Sequence, residues 1–285
     1  MKINAHTALY GFIAYPAKHS YSPAMYNCSF KHCRLNARYL AFEVAPSNLS
    51  EAVSGIRSLN LKGINLSMPF KRDIIPFLDE ITPEARQIQA VNTVKNENGR
   101  LIGATTDGDG MFEDLKSRGW NLKGRKITVL GAGGAGRSII AAAARYNVRE
   151  VNIFKRKNST YNQLKKWVES IADKAETEFN VYPYNDGEKM KNILEQSDIL
   201  INTTNIGMTE KRLPFSEDVL ESLSPNQLVY DIIYQPAETV LLKKAKEHGC
   251  QIYNGLGMLL WQGALAFNFW TGQKMPVEEV KKILQ

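Results

Sequence analysis

Four short stretches of this sequence carry residue types and spacings that chemistry would use. The first is KITVLGAGGAGR, Lys126 to Arg137, whose glycines at Gly131, Gly133 and Gly136 fit G-x-G-x-x-G. In that pattern the first glycine permits a tight turn, the second lets backbone approach a pyrophosphate, and the third packs helix against strand. Glycine clusters are also common turn punctuation, so the flanks decide. Ile127 to Leu130 suit a buried strand, Ser138 to Tyr146 a helix, and Glu150 to Phe154 a second β-branched strand, so the βαβ condition is met and the stretch reads as a dinucleotide site. The second stretch, KHSYSP, sets Ser20 and Ser22 at a strand-to-helix junction. Hydroxyls there serve either as ligand contacts at the carboxyl edge of a sheet or as helix caps. The third, SMPFK, places Ser67 and Lys71 beside another strand end, where a lysine left to itself is a solvated surface residue. In the fourth, TTDGDG, Asp107 opens a helix, a position where the helix dipole alone favours a carboxylate.

These residues need a frame, and the periodicity supplies one. Leu9 to Ala14, Tyr39 to Val44 and Gly63 to Leu66 read as strands, alternating with helices from Pro23 to about Arg34 and from Leu49 to Leu59. Thr82 and Pro83 cap and start a helix through about Gln89. VNTVKN and RLIGAT then form a hairpin about Asn98 and Gly99. After the glycine loop come a helix from Tyr161 to Ala172, a weak strand near Asn180 to Tyr182, and strands at Asp198 to Asn202, Leu228 to Ile233 and Gln251 to Tyr253, with a helix from Glu238 to His248. The expected architecture is α/β: an N-terminal α/β domain with a mostly parallel sheet, then a Rossmann-type doubly wound domain of five or six strands. The helices Met258 to Trp270 and Val277 to Leu284 have no strand partners and are expected to return to the first domain. The expected domains are 1–106 completed by 258–285, and 107–257, with the helix after Thr106 as connector.

Composition narrows the classes. A chain of 285 residues with 44% hydrophobic and 23% charged residues is an ordinary soluble globular protein with room for two cores. The N-terminus has no small-residue cleavage site, and the apolar run Gly257 to Trp270 falls short of the roughly 20 residues that a bilayer demands. Neither a signal peptide nor a membrane span is expected. Three cysteines without C-x-x-C spacing argue for a reducing compartment, hence a cytoplasmic protein. Cys28 and His32 share a helix face, but no further His or Cys cluster completes a metal site, so packing is their expected role. A net charge of +7 is spread rather than run together, and no nucleic-acid motif accompanies it. It suits a phosphorylated cofactor and an acidic substrate.

Taken together and in order, GFIAYPAKHSYSPAMYN, NLSMPFK, AVNTV, TTDGDG, GAGGAGR, NTTNIGM and GLGMLLWQGA resemble the shikimate dehydrogenases, over nearly the whole chain and closest to the branch that includes quinate/shikimate dehydrogenases. The resemblance implies a substrate domain and a Rossmann domain with the cleft at their junction, a monomer or homodimer, and reversible NADPH-dependent reduction of 3-dehydroshikimate to shikimate in aromatic amino acid biosynthesis. It implies that Ser20 and Ser22 bind the substrate carboxylate, that Ser67, Asn92, Asp107 and Gln262 hold ring hydroxyls with Tyr234 close by, and that Lys71 and Asp107 are the catalytic pair. Gly131, Ala132, Gly133, Gly134, Ala135, Lys155, Arg156, Lys157, Thr203, Ile232 and Gly255 fall at the matching cofactor positions. The AYP that replaces the usual Gly-Asn-Pro is shared with the quinate-using branch, so the alternative within enzymes is a quinate/shikimate dehydrogenase using NAD or NADP. A non-catalytic dinucleotide sensor is the competing class, and Lys71 with Asp107 argues against it.

Two features of the chemistry follow. Hydride comes from the nicotinamide, so the protein must supply a proton, orient a polyhydroxylated ring and exclude water. An ammonium at Lys71 meets the first need in reduction. In oxidation it must accept a proton, although free lysine has a pKa of about 10.4 and a neighbouring carboxylate raises it; burial acts the other way. Cofactor choice rests on FKRKN at the end of the second Rossmann strand. Lys155, Arg156 and Lys157 stand there with no carboxylate between Glu150 and Glu169, which favours NADP over NAD, while Asn158 occupies a position where some dual-cofactor relatives carry aspartate.

Overall fold

The computed structural model describes residues 2–18 and 20–284; Met1, Gln285 and His19, the last inside the HSYSP run, lie outside the described residues. The chain divides into two compact units, Met1–Gly110 with Leu260–Gln285, and Met111–Leu259.

The first unit runs β1 (Ala8–Ala14), α1 (Ser22–His32), β2 (Ala37–Glu43), α2 (Leu49–Ser58), β3 (Gly63–Leu66), α3 (Phe70–Asp73), β4 (Glu80–Ile81), α4 (Pro83–Ile88), β5 (Thr93–Glu97) and β6 (Arg100–Ala104), and enters α5 (Asp107–Ser117). Its sheet has the order β2-β1-β3-β5-β6-β4. β1 pairs in parallel with β2 and β3, whereas the β5–β6 hairpin is antiparallel and β5 joins β3 antiparallel. The sheet is therefore mixed beyond β3. The hairpin has a local cause: Asn98 and Gly99 both take positive φ, as a two-residue type I′ turn requires. Thr82 caps α4 by accepting from the Ala85 amide, with Pro83 in the first turn.

The second unit runs β7 (Lys126–Leu130), α6 (Gly134–Ala143), β8 (Glu150–Lys155), α7 (Tyr161–Ala172), β9 (Glu178–Pro183), α8 (Gly187–Leu194), β10 (Ile199–Asn202), β11 (Leu228–Asp231), α9 (Val240–Glu247) and β12 (Gln251–Tyr253). Six parallel strands lie in the order β12-β11-β10-β7-β8-β9, the doubly wound Rossmann order. Strand residues alternate between two cores. Ile127, Val129, Ile199 and Ile201 join one, and Leu130, Phe154, Leu200 and Val229 the other, as a sheet covered on both faces demands.

The chain ends with α10 (Leu256–Thr271) and α11 (Val277–Leu284). In the first unit α10 presents Phe267 and Trp270 to an aromatic layer with Tyr10, Tyr26, Phe30 and Tyr39. Gly63 is needed there, because a Cβ would stand 2.6 Å from the Trp270 indole nitrogen, which donates to the Val94 carbonyl at 3.0 Å. Among the described residues no helix is long and apolar enough to cross a membrane.

Candidate active site

In the first unit β1 leads to β2 on one side and β3 lies on the other, so the crevice at the carboxyl ends of β1 and β3 is a topological switch point. The loops leaving both strands carry the sequence-predicted residues. Ser20 and Ser22 follow β1, and the Ser22 amide donates to the Ser20 hydroxyl at 3.2 Å. Ser67 and Lys71 follow β3. Backbone ties hold the two loops together: the Ser67 amide donates to Ile13 at 3.1 Å, and that of Tyr15 to Met68 at 3.2 Å.

Lys71 Nζ lies 2.6 Å from Asp107 Oδ2, both side chains partly accessible. Asn92 Nδ2 approaches the other oxygen of Asp107 at 2.9 Å, Thr106 Oγ1 at 2.9 Å and Gln262 Oε1 at 3.2 Å. The Thr106 amide returns a bond to Asn92 Oδ1 at 2.9 Å. Gly110 permits this meeting, since a Cβ there would stand 2.5 Å from the Gln262 amide nitrogen. One ammonium, one carboxylate and two side-chain amides thus converge. This set can hold adjacent hydroxyls of a ring and exchange a proton with one of them.

Sequence reasoning missed three members of this network: Thr106, Asn65 and Tyr39. Asn65 Nδ2 donates to the Asn92 carbonyl at 3.3 Å, and the Tyr39 hydroxyl donates to Asn65 Oδ1 at 2.8 Å. Burial pushes the Tyr39 phenol well above its ordinary pKa, so it stays a neutral donor. An asparagine between Ile64 and Leu66 in the four-residue strand GINL, where every residue is buried, was the available signal.

In the second unit the switch point lies between β7 and β10. Gly131 has φ +91°, and a Cβ on it would meet Thr204 at 3.0 Å. A Cβ on Gly136 would stand 2.5 Å from Thr203 Oγ1, which is itself tied to the Leu130 carbonyl at 2.8 Å. Gly133 and Gly134, at the start of α6, face open space, no acid occupies the first turn, and Ala132 and Ala135 pack inward. Free amides at an uncapped helix start fit a pyrophosphate. Gly255 packs so closely on the Ile232 carbonyl oxygen that any side chain would overlap it.

The end of β8 is cationic. Lys155 is half-buried, and burial, then the charges of Arg137 and Arg156, lower its pKa. Arg137 lies over the Trp167 ring at 5.0 Å. An anion would relieve this crowding, so the residues present fit a 2′-phosphate. Lys157 is exposed, and Asn158 Oδ1 is engaged by the amide and hydroxyl of Thr160 at 3.2 and 2.9 Å. Tyr234 belongs to the second unit, half-buried after β11, whereas the residues with which the sequence grouped it belong to the first. Among the described residues no cluster of three or more His, Cys, Asp or Glu is placed to hold a metal ion.

A family profile described as the shikimate dehydrogenase substrate binding domain matches residues 12–94, and one described as the shikimate 5′-dehydrogenase C-terminal domain matches 255–285. A shikimate dehydrogenase (NADP(+)) of Listeria monocytogenes serotype 4b is 43% identical over 287 residues, covering 99% of this chain and 97% of that protein. One of Streptococcus sanguinis is 42% identical over 285 residues, covering 100% and 99%. The crystal structure of a Listeria monocytogenes shikimate 5-dehydrogenase, in complex with shikimate and NAD, superposes with a TM-score of 0.93 at 42% identity, over 100% of this chain and 99% of that one.

Proposed function

The chain belongs to the shikimate dehydrogenase family, and from that premise we propose that it interconverts 3-dehydroshikimate and shikimate, with NADP as cofactor. The observation that carries the reading is the Lys71–Asp107 pair, held on its far side by Asn92, which also donates to Gln262. A dinucleotide sensor would need the glycine loop but no such pair.

The first unit binds the substrate and the second the dinucleotide. Ser20 and Ser22 take the carboxylate, while Ser67, Asn92 and Gln262 orient the ring hydroxyls, with Tyr234 as a further contact. The bound nicotinamide supplies the hydride. Lys71 donates a proton to the oxygen that gains charge as the carbonyl is reduced, and in the reverse direction it receives that proton. Asp107 positions both the ammonium and the reacting hydroxyl. In the second unit Gly131 to Ala135 receive the pyrophosphate, Lys155 and Arg156 the 2′-phosphate with Lys157 at the rim, and Thr203, Ile232 and Gly255 line the rest of the site.

Initial rates of oxidation of shikimate and of quinate, each with NADP and with NAD, test this reading. Shikimate with NADP is expected to be fastest. No oxidation of shikimate with either dinucleotide would overturn it.

A further inference from the structure

One buried carboxylate has no part in the chemistry above. Asp231 closes β11 and is fully buried. Its Oδ1 accepts from Asn202 Nδ2 and from the Ile233 amide, both at 3.1 Å, and its Oδ2 accepts from the Thr239 hydroxyl at 2.8 Å. All three donors are neutral. Thr239 also accepts from the Leu242 amide as the cap of α9, so its hydroxyl joins the start of that helix to the carboxylate.

The groups so joined lie at the carboxyl ends of β10 and β11. Asn202 Oδ1 in turn accepts from the amide and hydroxyl of Thr204 at 3.1 and 2.7 Å, and the Asn202 carbonyl accepts from the Ile232 amide at 3.1 Å. A doubly wound sheet binds a dinucleotide as two mononucleotide halves on either side of its switch point. The cations after β8 assign the adenosine half to β7–β9, which leaves the nicotinamide half to β10–β12.

We infer that Asp231 is the positioning residue of the nicotinamide half: it fixes the turn of Thr203 and Thr204 to the turn of Ile232 and Ile233, so that both present their backbone to the nicotinamide ring and its ribose. The inference rests on the dinucleotide reading of the second unit, and it separates the two ends of one ligand.

The test measures binding of NADPH and of adenosine 2′,5′-bisphosphate, which fills the adenosine half alone, to the parent and to Asp231→Ala, Asp231→Asn and Thr239→Val. For Asp231→Ala, NADPH is expected to bind about tenfold more weakly, the scale of one lost buried hydrogen bond, with the bisphosphate unchanged within about twofold. Asp231→Asn keeps one acceptor and should fall between parent and Asp231→Ala. Thr239→Val should follow in the same direction, and it decides the matter if Asp231→Ala does not fold. Equal weakening of both ligands, or unchanged NADPH binding in folded variants, would overturn the inference alone. A parent protein that binds neither ligand would overturn the cofactor reading and this inference with it.

Discussion

Lys71 Nζ and Asp107 Oδ2 stand 2.6 Å apart although 36 positions separate them in the chain. The lysine is the second residue of a short helix after one central strand, and the aspartate opens the helix that follows the hairpin. Asn92 holds the second oxygen of the same carboxylate, so Asp107 cannot turn away from the ammonium without breaking two bonds.

The two partners should therefore fail differently. Lys71→Ala is expected to lower kcat by on the order of 10²–10⁴ with the KM for shikimate close to the parent's, as for a lost general acid. Asp107→Ala should lower kcat and raise that KM together. If Lys71→Ala keeps near-parental turnover in steady-state assays, the proton-transfer role is wrong.

Cofactor choice should follow the end of β8. Lys155→Ala and Arg156→Ala are each expected to raise the KM for NADP about tenfold, the size of a charge-assisted hydrogen bond, and to leave that for NAD nearly unchanged. The same site predicts a pH effect. Lys155 has its pKa lowered from 10.5, and a phosphate binds only its charged form well. NADP affinity should be full below that lowered pKa and fall as pH rises through it. Titrations with Lys155→Arg should show no fall over that range.

Tyr39→Phe removes one oxygen and keeps the ring that stacks on Tyr26 at 4.4 Å between centroids. It leaves Asn65 Oδ1 buried without its donor, and a loss of about 1–3 kcal/mol in unfolding free energy is expected. Urea unfolding of the two proteins side by side measures it; superimposable curves would show that the bond contributes nothing.

Two glycines of one loop should separate fold from binding. Gly136→Ala drives a methyl onto Thr203 and should cost about 1–3 kcal/mol as overpacking. At Gly133 the added methyl meets no protein atom within 4 Å. Gly133→Ala should melt like the parent yet bind NADP more weakly, because the methyl occupies the space through which phosphate approaches. A melting loss at Gly133 equal to that at Gly136 would contradict this division.

Much of the frame was readable because its signals are local. Asn98–Gly99, Thr82–Pro83 and the glycine loop each act within a few residues, and each lies where the sequence placed it. The helix Gly187–Leu194 went unread because it is short and buries only Met190 and Leu194, too little to impose a period. β4 is two residues on a sheet edge, below any pattern. The helix expected through Tyr146 is α-helical only to Ala143 and tightens to a 3₁₀ turn before Asn147, which takes a left-handed φ. Tyr39, Asn65 and Asp231 escaped for a different reason. Their roles lie in bonds to residues 26 to 29 positions away, and a strand pattern records only which face a side chain takes.

The indole of Trp270 bonds to Val94, 176 positions earlier, and so joins the final long helix to a sheet whose first strand starts at Ala8. On the ribosome that order has a consequence. The unit whose strands emerge first lacks Phe267 and Trp270 until every residue of the second unit has been made. Domains fold as units during synthesis. The second unit is thus able to mature while the first, though begun earlier, still waits for its closing helix.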